Sequence, residues 1–142
     1  MSTWSKPAVG TVKVNVKGSF LRSHMRASVA CIMRDSNGNW MKGCKSMIGL
    51  AVPMTAEQWS IWYGLKMVNN PDEDYDMFDL VLMIRKIMYE KWDFCDVVHI
   101  PSTSNAPVAA LANEAINDHG GLEDVIVPPS SIQGLLLADK MA

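Results

Sequence analysis

Hydrophobic and polar positions alternate from residue 12 to residue 17, with Val12, Val14 and Val16 on one side and Lys13, Asn15 and Lys17 on the other. A period of two predicts a half-buried β-strand with its valines inward, closed by Gly18-Ser19. Two more strand-like runs, Ala27–Met33 and Trp40–Lys45, flank an Asn37-Gly38 turn, a strong hairpin signal. Residues 11–47 therefore predict an antiparallel meander of three strands. The period then changes. Thr55 with Gln58 has the capping-box pattern, and Ala56, Trp59, Trp62 and Tyr63 follow at helical spacing, with Ile61, Leu65 and Val68 apolar on the other side. A helix this apolar is expected to be covered on more than one face, and Asn69-Asn70-Pro71 ends it.

The continuous apolar run Phe78–Met83 suits a buried parallel strand or the start of a helix. Ile84, Ile87 and Met88 lie at helical spacing among charged residues, and Val97–Ile100 reads as a strand closed by Pro101. Ser104 or Asn105 caps a helix through Asn117 with Val108, Leu111, Ala112 and Ala115 inward, and Gly120-Gly121 stops it. The tail is broken by prolines, and its apolar run from Ile132 to Ala138 is expected to dock on the body. The order β-β-β-α-β-α-β-α predicts an α/β fold, a mixed sheet of five strands flanked by helices. Residues 1–142 are expected to form one domain, with 1–9 as a lead into the first strand and 122–142 as a packing tail.

Charge changes this picture. The net charge is −2, but residues 1–50 carry eight Lys/Arg against one acid, Asp35, and residues 51–142 carry five against fourteen. Such asymmetry can mark a nucleic-acid or acidic-partner face. The reading favoured here is plainer, a solvated Lys-rich face shared by three strands, because no aromatic residues interleave with the cations as a stacking platform needs. Cys31, Cys44 and Cys95 are widely spaced with no Cys/His cluster, which argues against zinc and for reduced, buried thiols. No run approaches the ~20 apolar residues of a membrane span, and the N-terminus lacks a signal-peptide pattern, so a cytoplasmic or nuclear location is expected. His24, His99 and His119 have no nucleophile or ligand beside them in sequence, and no catalysis is assigned to them.

The ordered set of residues resembles the plant reverse-transcriptase-like RNase H family over nearly the whole chain. The segments that carry it are Trp4-Ser-Lys-Pro7 with Gly10–Gly18, Met33-Arg34-Asp35 with Gly38 and Trp40, Ala56-Glu57 with Trp59 and Gly64, His99-Ile-Pro101 with Asn105, Leu111 and Ala112, and Pro128-Pro129 with Leu135–Asp139. The family's chemistry is two-metal hydrolysis of the RNA strand of an RNA–DNA hybrid, and it needs carboxylates converging from four elements on two hard divalent ions. Aligned on that pattern, the first aspartate is Lys17, the helix glutamate is Glu57, and the last aspartate is Ala109. The third ligand falls in a poorly matching segment. Either the strand Phe78–Met83 leaves no carboxylate there, or a displaced strand offers Asp76 or Asp79. The arginine that usually precedes Asn105 is Ser102.

The expectation is a catalytically inactive domain with no metal and no cofactor, in which Lys17 pairs with Glu57. Related relic domains, retrotransposon-derived, serve as additional domains of plant immune receptors. That use implies a protein partner, a pathogen effector being one such. Binding of RNA or a hybrid without cleavage is the second reading, and a residual nuclease using Glu57 with Asp76 or Asp79 is the third. No membrane partner is expected.

Overall fold

The computed structural model describes residues 4–21, 25–50, 53–68, 98, 100–117 and 122–141. Three strands, β1 (Lys13–Leu21), β2 (Arg26–Arg34) and β3 (Trp40–Leu50), form the expected antiparallel meander, with Val16 opposite Cys31 and Cys31 opposite Cys44. The hairpin between β2 and β3 turns where expected. Gly38 takes the left-handed φ of +82°, and Asp35 Oδ1 accepts the backbone N–H groups of Asn37 and Asn39, both at 2.9 Å. Helix α1 (Pro53–Val68) follows, then a 3-10 turn (Ser102–Ser104) and helix α2 (Ala106–Asn117). A short strand β4 (Glu123–Val125) and helix α3 (Ser130–Met141) complete the described elements.

Both faces of the meander are covered. Val14 and Val16 meet α1 at Gly64, and the Cys31 thiol points at the Ser60 carbonyl, 3.7 Å away. On the opposite face Ala30 and Ile32 pack with Val108, Leu111 and Ala112 of α2 and Ile132 of α3, and Trp40 and Leu136 close the cluster. The inward stripe expected for α2 is therefore the one observed, and the apolar run of the tail does dock, through Ile132.

Several expectations are corrected. β1 does not stop at Gly18-Ser19 but continues to Leu21. Gly18 is not a terminator: it lies under the α1 backbone, and a Cβ there would stand 2.5 Å from the Ala56 carbonyl carbon, so this glycine permits a close helix–strand approach. Asn15 is buried rather than solvated, because α2 covers the face that alternation assigns to water. Arg34 is buried as well, only 1% exposed, whereas the strand lysines Lys13, Lys17, Lys42 and Lys45 stay half-buried. Helix α1 begins at Pro53, two residues before Thr55, as the preset φ of proline allows. Asn105 precedes α2, yet its side chain turns to β1 instead of capping: Nδ2 donates to the Val16 carbonyl (3.0 Å) and Oδ1 accepts from Asn15 (3.1 Å).

The described sheet has four strands in the order β1-β2-β3-β4, antiparallel throughout. The strand expected at Phe78–Met83 and the helix after it lie outside the described residues. Of the strand expected at Val97–Ile100, Val98 and Ile100 are described and neither is in a strand. β4 was not foreseen: a three-residue strand between a glycine pair and a proline pair leaves too short an alternation to read. Cys31 and Cys44 are free, buried cross-strand neighbours, and burial with the adjacent Cys44 pushes the Cys31 thiol well up. Cys95 lies outside the described residues, as do His24, His99 and His119.

A buried polar network joins these layers. Trp4 Nε1 and Arg34 both donate to Asn15 Oδ1, at 2.9 and 2.8 Å. Arg34 also donates to Asp139 Oδ2 at 2.8 Å, and its guanidinium stacks 3.8 Å over the Trp4 ring. Burial lowers the pKa of Arg34, and the Asp139 carboxylate opposes that shift. Arg34→Met is expected to destabilise the fold by about 3–5 kcal/mol in urea denaturation, because it strands a buried carboxylate. Hydrogen exchange should quicken most across α3. Gly18→Ala is expected to cost about 1–3 kcal/mol, since backbone rather than a flexible side chain must yield, and a melting curve checks it.

Candidate functional site

The close approach at Gly18 sets the geometry of the site. It brings the first turns of α1 against β1, so that Glu57 stands beside Lys17, with Lys17 Nζ 3.5 Å from Glu57 Oε1. The two side chains are 38% and 54% exposed. Ser60 Oγ donates to the Glu57 carbonyl (2.6 Å), a bond within α1 that leaves the carboxylate free to face β1. From the other side, the Asn105 side chain ties the start of α2 to Val16, the neighbour of Lys17. Ala109 lies one helical turn further, its N–H bonded to the Asn105 carbonyl (3.1 Å), and carries only a methyl group.

Lys17 and Glu57 thus meet, and Asn105 ties α2, which carries Ala109, to the strand beside them. Lys17 and Glu57 are brought together as the sequence reading expects. Asp76 and Asp79 lie outside the described residues. Ser102 falls in the 3-10 turn before α2. Among the described residues no three His, Cys, Asp or Glu side chains gather as a metal site would require. The donor set formed by Lys17, Glu57 and Ala109 does not suit a pair of divalent ions, which want several anionic oxygens. Its local charge is already balanced by the lysine.

Sequence reasoning missed one part of this site. Asn15 and Asn105 hold the two β1–α2 contacts that aim the residues, yet each reads from sequence as a surface residue or a cap. The only available signal was position, with Asn15 two residues before Lys17 and Asn105 four before Ala109.

Comparison with known proteins follows from this geometry. Residues 15–73 match the family model described as reverse transcriptase-like. A solved structure, LC11-RNase H1 in complex with an RNA/DNA hybrid, superposes with a TM-score of 0.64 and 19% identity, over 75% of this chain and 97% of that one. No curated protein gives a match. The superposition shows an RNase H-like fold, and residues 15–73 are similar to the reverse transcriptase-like family.

An ion pair this exposed is worth little to the fold. Lys17→Ala and Glu57→Ala are each expected to change stability by less than about 1 kcal/mol in urea denaturation, in contrast with Arg34→Met.

Proposed function

We propose that this RNase H-like domain does not cleave nucleic acid and acts as a protein-interaction module. The observation that carries the proposal is the Lys17–Glu57 pair at 3.5 Å, in the place where the family resemblance sets two metal-binding carboxylates. At an effective dielectric near 20, two unit charges ~4 Å apart interact by ~4 kcal/mol, and a dication doubles the figure. An ammonium at Lys17 therefore opposes a divalent ion at that spot, and it occupies Glu57 besides. Ala109 removes a further ligand. A site stripped in this way keeps its scaffold, and a scaffold does not fix function.

Binding of an RNA/DNA hybrid without cleavage is the second reading. The hybrid bound by LC11-RNase H1 favours it. Against it stands the use the fold makes of its cations. Arg34 is spent on Asp139, Lys45 on Glu114 and Glu123, and Lys17 on Glu57. A salt series separates the two readings, because phosphate binding falls steeply with ionic strength.

The deciding assay is hydrolysis of a labelled RNA–DNA hybrid in Mg²⁺ and in Mn²⁺. No cleavage above a no-protein control is the expected result. Cleavage that disappears in Glu57→Ala would sink the proposal. Lys17→Asp with Ala109→Asp is expected to restore measurable Mn²⁺ binding by calorimetry, since it returns two carboxylates to an intact scaffold.

A further inference from the structure

The edge of the sheet opposite β1 offers a surface that the site does not use. Among the described residues β4 is the outer strand there, paired with β3 from Gly43–Val125 to Lys45–Glu123. Around it three large apolar side chains stand in solvent: Leu122, and after the bend beyond Val125, Ile126 and Val127, each 71% exposed. Two adjacent β-branched residues so exposed are unusual, because a β-branched side chain gains most by packing on a neighbouring strand. The segment is held in place: the Ile126 carbonyl accepts the Trp40 indole N–H (3.0 Å), and Val125 is buried. Past Pro128 and Pro129 the chain enters α3, whose Ile132 is fully buried. An anchored edge loses little freedom when a partner arrives.

We infer that β4 receives an extended segment of another protein by strand addition, and that this segment is basic as well as apolar. In an antiparallel ladder every second residue of an outer strand turns its N–H and C=O outward, a template for one more strand. Specificity comes from the side chains beside that ladder. Here they are Asp124, exposed, and Glu123, 63% exposed beside a long 3.8 Å contact with Lys45, together with Leu122, Ile126 and Val127. The two acids decide the occupant. A second copy of this chain would bring its own Glu123 and Asp124 against these, and charges on a short edge are the usual guard against such self-pairing. A phosphate backbone would meet the same repulsion. An extended peptide with lysines or arginines toward the acids and aliphatic residues toward Ile126 and Val127 meets neither. The inference rests on the protein-binding reading above and gives that reading a surface.

The test uses the full chain and a synthetic decapeptide of alternating valine and lysine. Its control is the same peptide N-methylated at every second residue, which keeps the charge and removes the ladder donors. Amide shifts in a nitrogen–proton correlation spectrum should concentrate on residues 122–127. Affinity should fall at least tenfold with the N-methylated peptide, and at least tenfold when Glu123→Lys and Asp124→Lys are combined. Ile126→Ser with Val127→Ser should weaken binding with no change in melting temperature, because both side chains are exposed. Equal binding of the two peptides would overturn the inference, as would shifts confined to other elements. So would sedimentation as a dimer with the β4 amides protected in the chain alone. The hybrid-cleavage assay on the same preparation keeps the two proposals apart. No cleavage and no β4 shifts sink strand addition alone, whereas cleavage with the full set of β4 shifts sinks inactivity alone.

Discussion

The fold turns on one buried charge. Arg34 lies at the end of β2 with almost no exposure, and a guanidinium so placed must be paired or the chain will not bury it. It has three neighbours from three distant parts of the sequence: the Trp4 ring from the lead, Asn15 from β1, and Asp139 from α3. Asn15 extends the network to Asn105 at the start of α2. The lead, the first strand and the final helix are thereby fixed to one point. Strand register is fixed with them, since a one-residue slip of β1 would turn Asn15 to the valine side and leave Arg34 facing apolar surface. Lys13 shows the local excess of positive charge: burial, and then the Arg34 charge, lower its pKa.

This network is separate from the site that it positions. The side chains of Lys17, Glu57 and Ala109 take no part in holding Arg34. The site is assembled by Gly18, which admits α1, and by Asn105, which anchors α2. Scaffold and chemistry can therefore change independently. A change at Lys17, Glu57 or Ala109 leaves the contacts of Arg34 in place.

The meander and helices α1 and α2 could be read from the sequence because each carries a strong period, although α1 begins before Thr55 and the Asn105 side chain turns to β1. The residues from Lys13 to Lys17 were read correctly as strand, whereas Val12 lies before the strand and is exposed, and Asn15 is buried where the alternation assigns it to water. Alternation reports which residues share a face and does not report what covers the polar one. Here α2 covers it, and the polar side chains bond to one another. Gly18 was taken as a stop because a glycine in a strand marks either an end or a close approach, and only the position of α1 decides between them. β4 was too short to show a period. The pairing of Lys17 with Glu57 was legible through the family resemblance, whereas the roles of Asn15 and Asn105 depend on contacts 90 residues apart in sequence.

The uneven distribution of charge along the chain has an internal explanation. The basic first fifty residues and the acidic remainder could have been the mark of two different partners. Instead, the ion pairs among the described residues join the two segments: Lys17 with Glu57, Arg34 with Asp139, and Lys45 with both Glu114 and Glu123. Each takes its cation from the meander and its acid from the helices and tail that fold over it. Part of the asymmetry is thus complementarity within one molecule. Three of the cations that a nucleic-acid reading would count, Lys17, Arg34 and Lys45, are engaged in this way, and of the two exposed acids at β4, Glu123 and Asp124, Glu123 makes the Lys45 contact.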